Sequence, residues 1–135
     1  MSIWTRQDTV IDATAMALGV PSSGELFAIL CYNGFRYFNG WSADYQTETA
    51  CVTGEWVHNL VTYNGTAVTY YVNGVSVGSS NITLNTTAAP VKVGTSDGGV
   101  ANWQGDLDDA RVYNRVLTTS EITRLYSLGR STTVQ

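Results

Sequence analysis

The chain has 135 residues, of which 13% are charged, and a formal net charge of −4. That length is enough to bury one core and gives no reason to expect a second domain within 1–135. No stretch approaches the roughly 18 continuous apolar residues of a membrane-spanning helix, so membrane insertion is not expected. The seven basic residues, Arg6, Arg36, Lys92, Arg111, Arg115, Arg124 and Arg130, are scattered, which removes the electrostatic footing for nucleic-acid binding.

The first ten residues, MSIWTRQDTV, lack a basic start followed by an apolar run, so no secretion signal is expected in this chain and the compartment stays open. Helical spacing is nearly absent before residue 118. Short runs rich in valine, threonine, tyrosine and tryptophan are instead separated by Asn-Gly, Ser-Gly, Pro-Ser and Asp-Gly-Gly, which is an all-β pattern. Strands are expected near 2–7, 10–18, 25–32, 35–40, 44–52, 55–63, 66–72, 75–80, 90–95 and 103–115.

Within this series, YNGTAVTYYVNG at 63–74 holds two Asn-Gly reversals, whose backbone twist matches that of adjoining strands. A two-residue loop at Asn64-Gly65 sets Tyr63 opposite Thr66, Val61 opposite Val68, Asn59 opposite Tyr70 and Val57 opposite Val72. A second at Asn73-Gly74 sets Val75 opposite Val72 and Val77 opposite Tyr70. Both turns then put the valines on one face of a three-stranded meander. The other face carries Trp56, His58, Leu60, Thr69 and Tyr71, a mixture suited to lie under a second layer or to line a groove, with His58 opposite Tyr71 in a packing role.

The one helical segment is LTTSEITRLYSLG. Thr118 is expected to cap its start, Glu121 to return the bond, and Gly129 to end it. Ile122, Leu125, Tyr126 and Leu128 make an apolar stripe for docking on the sheets. Cys31 and Cys51 are too far apart for a close metal-binding pair and too few for a cysteine framework. Two buried thiols are the favoured expectation and a disulfide the alternative.

The run GEWVHNLVTYNGTAVTYYVNGVSV, then PVKVGT, then WQGDLDDARVYNRVLTTSEITRLY, resembles the laminin G-like jelly roll of the concanavalin A-like lectin/glucanase superfamily. The likeness is carried by Trp56, Tyr63-Asn64-Gly65, Tyr71-Val72-Asn73-Gly74, Val93-Gly94, Gly105, Leu107-Asp108, Arg111 to Leu117 and Glu121-Ile122. It is strong over about 54–126 and weaker earlier, where MSIWTRQ resembles an early strand of the family. It implies an all-β fold, an antiparallel β-sandwich of jelly-roll type with one short carboxy-terminal helix. It also implies a role outside the cell or on its surface.

Members usually have more chain ahead of this strand, including a piece that pairs with the last strands. Residues 130–135, residues 8–20 or a neighbouring molecule are expected to fill that place, with a homo-oligomer through an exposed strand edge as one outcome. Glucanases of the superfamily carry their acids as Glu-x-Asp-x-x-Glu along one strand. No such spacing exists here, where Glu25, Glu48 and Glu55 stand singly, so the chain is not expected to be an enzyme. His58 lacks a marked nucleophile and orienting acid for a triad.

Many laminin G-like domains bind calcium at a rim. The stretch TSDGGVANWQGDLDD offers Asp97, Asn102, Asp106 and Asp108 as oxygen ligands for such an ion. Asp108 shares a period-two row with Ala110 and Val112 and is expected to be partly buried, satisfied by backbone or an arginine. Sugar binding combines an aromatic ring against the C–H face of a pyranose or furanose with amides and charges on its hydroxyls. YNGFRYFNGWSADY supplies Tyr32, Phe35, Tyr37, Phe38, Trp41 and Tyr45.

Alternation puts Phe35, Tyr37 and Asn39 on one side and Arg36, Phe38 and Gly40 on the other. Trp41 and Tyr45 are the expected exposed contacts, joined by Arg36, Asn39 and Trp103. The leading functional expectation is thus non-catalytic recognition of carbohydrate or glycoprotein, assisted by calcium. The alternative is a structural, adhesion or particle-decorating module assembling through exposed strands, and a glycoside hydrolase ranks third.

Overall fold

A computed structural model describes residues 1–95 and 100–133. The strands are β1 (Ser2–Gln7), β2 (Ala13–Gly19), β3 (Leu26–Tyr32), β4 (Phe35–Asn39), β5 (Tyr45–Ala50), β6 (Val57–Tyr63), β7 (Ala67–Val72), β8 (Val75–Asn81), β9 (Lys92–Val93), β10 (Ala101–Asn102) and β11 (Gly105–Arg111). They are followed by helix α1 (Thr119–Thr133). One sheet has the order β11-β1-β6-β7-β8; the other has β10-β2-β3-β4-β5, with β9 also on β2. All pairings between these strands are antiparallel except β10 with β2. This is the antiparallel sandwich with one carboxy-terminal helix that the patterning implies.

The two sheets close on Ile3, Met16, Ile29, Phe38, Val61, Val68, Tyr70 and Ile82, with Val72 and Val77 packed against them. Burying each such side chain stabilises the fold by about 1.5–3 kcal/mol. Val61, Val68, Val72 and Val77 therefore share one interior, as expected, whereas Val75 at the second turn is 67% exposed. Asn73 and Gly74 both adopt positive φ, 51° and 81°, the geometry of a two-residue hairpin, and Val72 pairs with Val75. Asn33 and Gly34, at 50° and 81°, repeat it between β3 and β4.

The first reversal differs from the expected one. Its loop is four residues long, because Asn64 Oδ1 accepts the amides of Thr66 (3.0 Å) and Ala67 (2.9 Å). The closing pair is Tyr63 with Val68, and Val61 meets Tyr70. The register slips by two residues, and since side chains alternate with period two, every residue keeps its face. The slip also moves Leu60, not His58, opposite Tyr71. A bulge between Tyr70 and Tyr71 puts Gly78 opposite Tyr70, in the place expected for Val77. Gly78 lies against the Tyr45 hydroxyl, a contact that leaves no room there for a side chain.

Three further expectations are corrected. Cys31 and Cys51 are joined in a disulfide, their Cα atoms 6.2 Å apart; the hairpin brings them within bridging range, and the Cys51 amide donates to Gly34 O at 2.8 Å. Gly129 does not end the helix. It sits inside α1 against the Trp4 indole, where a Cβ would overlap the ring, so its missing side chain lets the helix approach β1. Leu128 is 56% exposed and does not join the docking stripe, which consists of Ile122 with Leu125 against Leu60, Leu117, Tyr71 and Tyr113. The start of α1 is as expected: Thr118 Oγ1 accepts the Glu121 amide (3.3 Å), and Glu121 Oε2 accepts the Thr118 amide (2.8 Å).

β1 lies between β11 and β6. Residues 13–19 form β2 in the other sheet and residues up to 133 belong to α1, so neither adds a strand beside β11. Among the described residues β11 is the edge. No helix of the described residues is long and apolar enough to cross a membrane.

Candidate functional site

The two outer faces of the sandwich are built differently. On the five-stranded sheet, α1 lies over Leu60, and Trp4, His58 and Tyr126 form a mutual cluster, with ring centroids 5.2 Å (Trp4–His58), 5.7 Å (Trp4–Tyr126) and 6.4 Å (His58–Tyr126) apart. His58 is 2% exposed. Burial holds its imidazole down at about 4, with the Asp109 carboxylate pulling the other way and Arg111 reinforcing. It is neutral near pH 7 and packs, as expected for a structural histidine.

Among the described residues, no helix lies over the outer face of the six-stranded sheet. Small and branched residues, Ala17, Leu26, Ala28 and Leu30, form its floor, and Tyr37, Trp41 and Val100 pack over them. The register explains the arrangement: Leu30 pairs with Tyr37, Tyr32 with Phe35 and Tyr37 with Gln46, so these side chains project from the same surface. The Tyr32 and Tyr37 rings lie 5.0 Å apart at 55°. Trp41 takes a positive φ of 57° and its amide donates to Asn39 Oδ1 at 2.6 Å. The Gly40 amide donates to Asp44 Oδ1 at 3.0 Å, fixing a carboxylate beside Tyr37. Burial and this Asp44 charge push the Tyr37 phenol up to about 12, so it is a hydrogen-bond donor throughout the neutral range. Tyr32, Phe35, Tyr37, Asn39 and Trp41 are half-buried, while Asp44, Gln46 and Glu48 are exposed.

This surface takes up only part of the expected ligand set. Asn39 and Trp41 belong to it. Arg36 is 3% exposed and points between the sheets, donating to Thr5 Oγ1 at 3.4 Å in a group with Asn59 and Tyr70. Tyr45 pairs with the inward Phe38 and packs on the core. Trp103 packs on the same core, its indole N–H buried. Alternation along β4 and β5 turns Arg36 and Tyr45 inward, and Trp103, between β10 and β11, is held there with its amide donating to Gly94 O at 2.8 Å. Tyr32, Tyr37, Asp44 and Gln46 stand in their place. The signal for Tyr37 lay in the same alternation, which set it with Asn39 on the side opposite Arg36; Asp44 and Gln46 had no local mark.

Of the expected calcium ligands, Asp97 lies outside the described residues. Asn102 is on β10 of one sheet, whereas Asp106 and Asp108 are on β11 of the other. The Asp106 carboxylate is engaged by Arg6. Asp108 is exposed, not partly buried, because β11 is an edge and the row Asp106, Asp108, Ala110 faces solvent; its Oδ1 accepts the Asp109 amide at 2.7 Å. Calcium asks for six to eight oxygens. The described residues contain no group of three or more His, Cys, Asp or Glu suited to a metal.

A concavity of about 300 Å³ opens elsewhere, between Met1, Leu18, Phe27, Val61, Val112 and Leu117.

A family model described as concanavalin A-like lectin/glucanases superfamily matches residues 2–123. No curated protein matches the chain in sequence. Among solved structures, domain 4 of the extracellular GH43 arabinanase AbnA from Geobacillus stearothermophilus, in complex with arabinotriose, is similar over 93% of this chain and 64% of its own, with TM-score 0.71 and 23% identity. A putative carbohydrate binding protein from Bacteroides ovatus is similar over 91% of this chain and 39% of its own, with TM-score 0.73 and 17% identity. A heptameric SAP-like pentraxin from Limulus polyphemus is similar over 93% and 68%, with TM-score 0.69 and 16% identity. These are likenesses of fold. The chain spans less than two thirds of the length of the first two.

Proposed function

The chain belongs to the concanavalin A-like lectin/glucanases superfamily, and from that premise we propose that it is a non-catalytic carbohydrate-binding module whose sugar stacks on the outer face of the six-stranded sheet. The observation that carries this reading is the aromatic surface of Tyr32, Tyr37 and Trp41 on the face without a helix. Ring faces take the C–H side of a sugar, and the neighbouring Asp44, Gln46 and Asn39 supply acceptors and an amide donor for its hydroxyls. The arabinanase domain in complex with arabinotriose and the Bacteroides ovatus protein support carbohydrate as the ligand class. The Cys31–Cys51 disulfide fits an oxidising compartment, where extracellular glycans are met.

The test is retention on a panel of polysaccharides. The wild-type chain should bind at least one neutral member, and Tyr37→Ala and Trp41→Ala should each weaken that binding about tenfold, equivalent to about 1.4 kcal/mol, with the melting transition kept. Undiminished binding by both variants would remove the ligand from this face. A rise in melting temperature on adding calcium would restore the ion to the reading.

A further inference from the structure

We infer that the aromatic face selects neutral glycans and rejects uronic, sialylated and sulfated ones, an inference that rests on the proposed sugar-binding role. Anionic sugars are held by arginine or lysine, and the fold directs nearly all of these residues elsewhere. Arg36 is inside the sandwich. Arg6 pairs with Asp106 and lies 5.6 Å from the Trp56 ring centroid. Arg111 pairs with Asp109, and Arg115 with Glu121. Arg124 and Arg130 are on α1, which covers the other sheet. Besides the inward Arg36 of β4, Lys92 of β9 is the other cation on a strand of the six-stranded sheet. It stands in the row Lys92, Ala17, Ala28, Asn39, three strands from Asn39 and so about 14 Å away at roughly 4.8 Å per strand.

The charges close to the rings are negative. Asp44 adjoins Tyr37 and is held by the Gly40 amide. Glu48 is exposed on β5, and Asp12, which accepts the Asn33 amide at 2.7 Å, stands at the Tyr32 end. A carboxylate only accepts hydrogen bonds. It is matched by the hydroxyls of a neutral sugar, and a sulfate or uronate brings it a second acceptor of like charge with nothing between them. At contact distance such repulsion is large enough at a protein surface to decide binding, and added salt weakens it.

Four polymers test this by affinity electrophoresis and calorimetry: linear arabinan, galactomannan, polygalacturonate, and polygalacturonate with its carboxyls methyl-esterified. Binding to neutral members at least tenfold tighter than to polygalacturonate is expected. The Asp44→Asn/Glu48→Gln double variant, which keeps an acceptor for the Gly40 amide, should narrow that gap at least threefold, as should 0.5 M salt. Equal or tighter binding of polygalacturonate, or a gap that neither the double variant nor salt changes, would overturn the selectivity while leaving the sugar-binding role in place. If none of the polymers binds, neutral or acidic, both fail together.

Discussion

The two outer faces of this sandwich carry similar side chains and do different work. Both bear tryptophan and tyrosine. On the five-stranded sheet, Trp4 and His58 are buried against Tyr126 of α1; on the six-stranded sheet, Tyr32, Tyr37 and Trp41 are half-buried over an aliphatic floor, with no helix of the described residues above them. The lesson is that an aromatic cluster can serve as a binding surface, as proposed for the six-stranded sheet, only where no other element covers it. On the helix-covered face the same residue types serve stability.

The largest expected break comes from the covered face. Ile122 is fully buried where α1 meets Leu60 and Leu117, and Ile122→Ala should cost about 3 kcal/mol of unfolding free energy by denaturant titration. Polysaccharide affinity of the folded fraction should stay within about twofold, since the open face is on the other sheet. A large loss of affinity with no loss of stability would show that the division between faces is wrong.

Acidification should act on the covered face next. His58 titrates near 6.5 when unfolded and at about 4 when folded. Its neutral form is the one the fold accepts, so its contribution is complete above about pH 6.5 and is lost as pH falls from 6.5 towards 4. Because the unfolded chain takes up the proton first, about 3 kcal/mol is at stake at roughly 1.4 kcal/mol per unit. His58→Gln should flatten that part of the stability profile; a profile unchanged by the substitution would mean that the imidazole is protonated in the fold.

The smallest effect sharpens the comparison at the start of the helix. Glu121 is held down at about 2, first by Arg115 and then by the Thr118 amide. Thr118→Ala, which removes the reciprocal hydroxyl bond, should cost about 1 kcal/mol, read by thermal unfolding. The change should not reach the Tyr32–Tyr37 surface.

Much of this molecule was legible in one dimension, and the residues show why. Period-two patterning and Asn-Gly turns are local signals, so the valine interior, the Asn73-Gly74 hairpin and the Thr118–Glu121 cap could be read directly. Where a turn was misjudged at Asn64-Gly65, the error was two residues and the alternation absorbed it. The expected ligand residues fared differently. Trp41 and Asn39 reached the open face, while Arg36, Tyr45 and Trp103 turned inward, because the choice between faces depends on which side of each strand meets the opposite sheet.

The sequence by itself determined which segments extend, which residues share a side of a strand, and where the helix begins, since these follow from backbone sterics and spacing within a few residues. Only the tertiary structure decided that Cys31 reaches Cys51, that Gly129 seats α1 on Trp4, and that Asp44 stands beside Tyr37 while the arginines stand elsewhere. Each of these is a meeting of groups distant along the chain or a difference between two equally aromatic surfaces. Such facts arise from packing, which no local pattern encodes.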